Sequence, residues 1–187
     1  GRVRVAFREQ IADPENHPFP THSGKIEIFS PDLYRLGRPE EIPAIPRHMP
    51  CPEGPEDPLT QRYPLQLVGW HTRRRCHSIH DNNQWMDEVE APALWIHPED
   101  AGARGIGQGD LVEVFNDRGK VRIPALVTER IMRGVTAMSQ GGWYRPDGQG
   151  RDTRGSINVL TDGDHPSPLA KGNPQHTNLV EVKRAGI

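Results

Sequence analysis

Three consecutive arginines stand in the run Gly69-Trp70-His71-Thr72-Arg73-Arg74-Arg75-Cys76-His77-Ser78. Guanidinium forks bind phosphate oxygens two at a time, and Thr72 and Ser78 would add hydroxyl donors. A solvated basic loop is the other ordinary fate of a charge run, and the spacing alone leaves both readings open. A second stretch, Ser139-Gln140-Gly141-Gly142-Trp143-Tyr144, places paired glycines before two aromatics. Glycines there let the backbone approach a ligand closely, or simply make a turn. A third, Gly172-Asn173-Pro174-Gln175-His176-Thr177-Asn178, sets amides and an imidazole around a rigid proline. Amides can read the donor and acceptor edges of a fused heterocycle, and they equally make self-capped polar loops.

Other chemistries find little support. His71, His77 and His80 do not have zinc-ligand spacing, and Cys51 and Cys76 form no CxxC pair, although one disulfide between them stays open. No Ser–His–Asp order or P-loop is present. Gly105-Ile106-Gly107-Gln108-Gly109 lacks the spacing of a dinucleotide fingerprint and does not open a helix after a strand. A net charge of −2 gives no global pull toward nucleic acid or a membrane surface. No apolar run reaches membrane-spanning length. The chain opens on glycine without a signal peptide, so it reads as a piece of a longer polypeptide.

The elements that must position these loops are short. With 19 prolines and 19 glycines in 187 residues, and a mean hydropathy of −0.73, long helices are not expected. Period-two alternation predicts a strand over Lys25–Phe29, after an extended opening and the turn Thr21–Gly24. Nine prolines fall within residues 31–64, which read as an ordered connector. Strands are then predicted at Leu65–Gly69, Leu94–Ile96, Leu111–Phe115, Val121–Val127, Val135–Met138 and Leu179–Val182. A hairpin at Asn116–Gly119 is expected to use its glycine at positive φ. Short helices are expected within 79–90 and from Pro98 to a stop at Gly105. The expected architecture is a closed β-barrel at 65–187, preceded by a lead-in and proline-rich connector at 1–64. The polar loops 139–156 and 161–178 are the natural places for function.

With these segments in order, the sequence resembles the C-terminal molybdopterin-dinucleotide-binding domain of the dimethyl sulfoxide reductase family. The resemblance rests on Leu65–Asn82, Trp95–Ala101, Gly105-Ile106, Gly109-Asp110, Val112–Gly119, Ile131–Val135 and the ending Ser167–Val180. Thr21–Glu27 is similar to the family's segment leading into that domain. The membrane-associated, iron–sulfur-containing anaerobic dimethyl sulfoxide reductases match best.

The resemblance implies a six-stranded double-psi β-barrel, mainly β, with short helices and long loops. It implies a bis(molybdopterin guanine dinucleotide) molybdenum cofactor held between this domain and the rest of the subunit, with any iron–sulfur cluster upstream. By motif position, Trp70, His71, Thr72, Arg73, Arg74, His77 and Ser78 would line the pterin and phosphate path. Gln140 and Trp143 would lie near it, and Asn173, Gln175 and His176 would meet pterin or guanine edges. No catalytic residue and no metal ligand is expected within this stretch, which would be inactive alone. Implied partners are the remainder of the catalytic subunit, an iron–sulfur electron-transfer subunit and a membrane anchor subunit, in a bacterial periplasmic or membrane-associated enzyme, without nucleic acid. The rival expectation is a free-standing double-psi barrel that binds another nucleotide or phosphate ligand.

Overall fold

Alternation at period two builds the barrel. In β1 (Leu65–Trp70), Leu65 and Leu67 are buried while Gln66, Val68 and Trp70 are half-covered on the other face. The same pattern recurs in β2 (Leu94–Ile96) and β4 (Lys120–Val127), where Val121, Ile123 and Ala125 point inward. With β3 (Leu111–Phe115), β5 (Val135–Ser139) and β6 (Asn178–Arg184), these strands close in the order β1-β5-β2-β4-β3-β6. The fold is the expected six-stranded double-psi β-barrel, and closure leaves no unpaired strand edge. Its interior is a cluster of buried apolar side chains from all six strands, whose Leu, Ile, Val and Met members each contribute about 1.5–3 kcal/mol by leaving water.

Strand direction places the functional loops. β1 and β5 run parallel, and their last residues, Trp70 and Ser139, are partners in register. The segments that follow, after Trp70 and after Ser139, therefore leave the barrel at the same end. β2 runs antiparallel to β5, with Trp95 opposite Ala137, so the chain entering β2 arrives at that end too.

The computed structural model describes residues 3–172 and 176–186. The chain forms two compact units, Gly1–Met49 and Pro50–Ile187. In the first, α1 (Arg8–Ala12) and α2 (Pro31–Arg35) are joined by turns, and the Ser30 hydroxyl caps α2 by accepting from Leu33 N. The expected turn at Thr21–Gly24 is present, with Gly24 N donating to Thr21 O. Lys25–Phe29 is not a strand. Alternation stabilises a strand only against a partner, and Ile26 and Ile28 are exposed instead. Thr21 Oγ1 donates to Lys25 O at 2.6 Å and Ser23 N donates to the Glu27 carboxylate at 2.8 Å, which holds a folded turn there.

In the second unit, residues 50–64 are strapped onto the barrel. The buried Glu53 carboxylate pairs with Arg118 and accepts from Leu179 N at 2.7 Å, while Arg118 Nη2 donates to Leu160 O at 2.7 Å. Tyr63 is buried, edge-on to Phe115, with its hydroxyl donating to Asp117 at 2.8 Å. α3 (Gln84–Val89) follows the arginine-rich loop, capped by the Asn83 side chain, and α4 (Pro98–Gly102) starts at its proline as expected. The hairpin Asn116–Gly119 also forms, but Gly119 does not take positive φ. Glycine is needed for space: a Cβ there would lie 2.5 Å from Val159 Cγ1. Neither cysteine is in a disulfide.

Candidate functional site

A cleft of about 570 Å³ opens on the outer wall of the barrel beside the end of β1. Its floor follows from the strand alternation: Trp70, Trp95 and Leu126 sit at outward positions of β1, β2 and β4. The two indoles pack at 5.1 Å, tilted by 50°. The loop His71–Arg75 lines it, as do Met86, Asp87 and Val89–Ala93.

Four arginines reach the lining, Arg73, Arg74, Arg75 and Arg130, against the carboxylates Asp87 and Glu90. They differ in what they touch. Arg73 is exposed and makes no ion pair or hydrogen bond with a described residue. Arg74 is exposed, with Nε 3.8 Å from Glu90 Oε2. Arg130 lies over the Trp95 ring at 4.8 Å. Arg75 is turned inward and is almost fully buried. It pairs with Asp81 and donates to Ser139 Oγ at 2.9 Å and to Gln140 O at 3.0 Å.

Asp81 is the hub of a buried network. Arg154 grips it from the far loop, with Nε to Oδ2 and Nη2 to Oδ1 both at 3.0 Å, and Arg154 Nη2 also donates to Asp81 O at 2.6 Å. The same guanidinium reaches Asp87 of α3 at 2.6 and 2.9 Å. Trp143 N donates to Asp81 Oδ2 at 2.9 Å. Burial alone would raise the Asp81 carboxyl. The hydrogen bonds from Arg154 and Trp143 N, with the Arg154 and Arg75 charges, outweigh it and hold Asp81 below its ordinary 3.8. The bond to Asp87 comes first among the causes that hold the Arg154 proton more tightly than usual, against burial and with help from Asp81. Two buried cations thus meet two carboxylates, and the loop after β1, α3 and the loop after β5 are fixed to one another.

The glycine pair serves this same junction. Gly141 has φ +83°, and a Cβ there would come within 2.0 Å of His77 O, so the backbone it lets approach is the protein's own. Trp143 Nε1 donates to Ser78 O at 2.8 Å and stitches the loops once more.

The expected site residues therefore separate into groups. Trp70, His71, Thr72, Arg73 and Arg74 line the cleft. Thr72 is buried, donating to Glu90 Oε2 at 3.2 Å and accepting from Arg74 N at 3.1 Å, so it shapes the wall. His77 and Ser78 are exposed further along the loop, outside the cleft lining, with the His77 ring 4.9 Å from that of His71. Gln140 is buried, and its main chain continues the ladder by donating to Trp70 O at 2.9 Å. Trp143 is about half-exposed beside Ser78. His176 is exposed, while Asn173 and Gln175 lie outside the described residues.

Three features of the site were not singled out in the sequence. Trp95 was detectable, because a tryptophan between two buried aliphatics at period two must face outward. Arg130 and the Asp81–Arg154 pair were not, because they come together only when the loops close.

The sequence of this barrel matches the family model described as "Molydopterin dinucleotide binding domain" over residues 65–179. The chain belongs to this family. Outside the family model, similarity extends along nearly the full chain. Dimethyl sulfoxide reductase DmsA of Escherichia coli is 48% identical over 186 residues, and its namesake from Haemophilus influenzae is 45% identical over 187. These alignments cover 96% and 97% of this chain, but only 23% of each relative. A trimethylamine-N-oxide reductase from Haemophilus influenzae is 39% identical, with 96% of this chain and 22% of that protein covered. The chain thus spans about a quarter of the length of the curated relatives it matches. Among solved structures, acetylene hydratase from Pelobacter acetylenicus superposes with a TM-score of 0.71 at 19% identity, over 92% of this chain and 25% of that one. That likeness concerns the fold.

The donor set of the cleft fits the ligand class of the family. A dinucleotide carries a pyrophosphate and flat rings. The cleft offers arginines with donors to spare beside two tryptophan faces.

Proposed function

We propose that this chain binds and orients a bis(molybdopterin guanine dinucleotide) molybdenum cofactor in the catalytic subunit of an anaerobic S- or N-oxide reductase of the dimethyl sulfoxide type. The observation that carries the proposal is the contrast inside one cleft between Arg75, buried against Asp81, and the exposed Arg73 and Arg74, of which Arg73 meets no acid among the described residues and Arg74 only Glu90 at 3.8 Å.

Each residue then has a task. Arg73 and Arg74 neutralise pyrophosphate oxygens, and Trp70 offers a flat face to a ring of the ligand. Thr72 fixes the loop from which the arginines extend, and His71 lines its mouth. His77, Ser78, Gln140 and Trp143 belong to the stitched junction behind it and steady one flank of the cofactor path. Asn173, Gln175 and His176 read pterin or guanine edges. The binding barrel is assigned to 65–187, with 1–64 leading into it. The cofactor supplies the two-electron chemistry by which an S-oxide, two protons and two electrons give a sulfide and water. The protein's part here is retention, orientation and exclusion of water around the bound phosphates.

The rest of the catalytic subunit would complete the cofactor site and carry any iron–sulfur cluster. An iron–sulfur electron-transfer subunit and a membrane anchor subunit would serve the parent enzyme in a bacterial periplasmic or membrane-associated setting. No helix among the described residues is long and apolar enough to cross a membrane.

The test is made on the full-length parent protein. Molybdenum and guanine nucleotide are assayed per mole of purified wild type and of the R73A/R74A double variant. The proposal expects both components in the wild type and strong depletion in the variant, with an unchanged exchange pattern in the barrel strands. Absence of both components from the wild type would contradict it.

A further inference from the structure

The cleft holds a further arginine, Arg130, which none of the sequence motifs marks. Arg130 lies in the segment between β4 and β5, far along the chain from Arg73 and Arg74. Its backbone is pinned: Thr128 N donates to Ile96 O at 2.9 Å, and Arg130 N donates to Thr128 Oγ1 at 3.2 Å. Its guanidinium lies over the Trp95 ring at 4.8 Å, and Trp95 packs on Trp70 at 5.1 Å. The three groups form a ladder along the cleft floor, ending in a positive charge.

Stacking orients a guanidinium without consuming its N–H donors, which lie in the plane of the group and stay available at its edge. No carboxylate among the described residues pairs with Arg130, and the residue is exposed. Elsewhere in this unit, Arg75, Arg118, Arg151 and Arg154 each meet an acid. An exposed guanidinium held over an indole, lining the same cleft as Arg73 and Arg74 and without a carboxylate partner among the described residues, suits an anionic ligand.

We infer that Arg130 is a further ligand-binding residue: it donates to a phosphate oxygen of the bound dinucleotide, held in place by Trp95, in the same cleft as Arg73 and Arg74. The inference rests on the cofactor-binding reading above and adds a specific contact to it. Trp95 is a positioning residue in this scheme, acting through Arg130.

The experiment uses the full-length parent enzyme and the variants R130K, R130M and R73A/R74A. Each is purified, exchanged into buffer of raised ionic strength, and assayed for nucleotide retained per mole of protein and for melting temperature. Arg130→Met keeps the apolar stem against Trp95 and removes the charge and donors. Arg130→Lys keeps the charge and loses the fork. The expected result is a loss of nucleotide of about tenfold in R130M, as for a removed charge-assisted hydrogen bond, and a smaller loss in R130K. The ligand-free forms of all the variants would melt with wild type. Wild-type retention in R130M alongside depletion in R73A/R74A would overturn the role of Arg130 and leave the cleft reading intact. Wild-type retention in all variants would overturn both. A ligand-free R130M protein that melts well below wild type would assign Arg130 to the fold instead.

Discussion

Arginines occupy two kinds of place in this barrel, a few residues apart. Arg75 and Arg154 are buried, each paired with a carboxylate and bonded to a carbonyl, and they join the loop after β1, α3 and the loop after β5. Arg73, Arg74 and Arg130 are exposed and line the cleft, with only Arg74 near an acid, Glu90 at 3.8 Å. A buried guanidinium without an acid would be strongly destabilising, so each inward arginine comes with its Asp. An exposed one carries no such penalty and can be kept for a ligand. The inner set buys rigidity and the outer set uses it, because a phosphate clamp is only as selective as the loops that hold it are fixed.

Substitutions at the inner set test this division with the largest effects. Asp81→Ala leaves Arg75 and Arg154 buried and short of an acid. It should cost the parent protein about 3–5 kcal/mol of local stability, read as faster deuterium exchange in peptides covering 71–89 and 139–156. Unchanged exchange there would mean that the network is ornamental. Gly141→Ala comes next. Its positive φ and its approach to His77 O should cost about 1–3 kcal/mol by strain and push the two loops apart, with the strands β1 and β5 unaffected. The same peptides report the change.

The acid limb of stability is a finer probe. Because Asp81 is held below 3.8 in the fold, the unfolded chain takes up its proton first as pH falls. Its ionised form stabilises the native state fully above the ordinary value, and the contribution is lost as pH drops from about 4 through the folded value. Melting curves taken from about pH 6 down to about pH 3 should therefore fall less steeply in D81N than in wild type. A parallel acid limb in D81N would place the titration elsewhere. Smallest in stability are the outer arginines. Arg73→Ala and Arg74→Ala should each change it by less than about 0.5 kcal/mol while lowering cofactor retention, measured by exchange and nucleotide assay together. Loss of fold from either substitution would move it to the inner set.

The same division explains what the sequence disclosed. Every strand of the barrel was legible, some by period two, as in Val121, Ile123 and Ala125, and others as short apolar runs bounded by turn residues. Pro98 marked the start of α4 for the equally local reason of its fixed φ. Lys25–Phe29 misled for want of a partner strand, information that a local pattern does not hold. Within the arginine triplet, nothing in the run of residues distinguishes Arg75 from Arg73. The distinction is made by Asp81 and by Ser139 and Gln140, which arrive through the parallel pairing of β1 with β5. Gly141 was visible as a glycine, but not the carbonyl it must clear. Arg130 was invisible for the same reason, since its meaning depends on Trp95 and on the loop that lines the same cleft.

The most direct measurement is a density map of the purified full-length holoenzyme at a resolution that shows phosphate groups. The account predicts a pyrophosphate in the cleft beside Trp70 and Trp95, with oxygens about 3 Å from the guanidinium nitrogens of Arg73 or Arg74. Arg75 would remain on Asp81. A dinucleotide whose phosphates lie away from this cleft, with Arg73 and Arg74 turned to solvent or to the polypeptide's own acids, would contradict it.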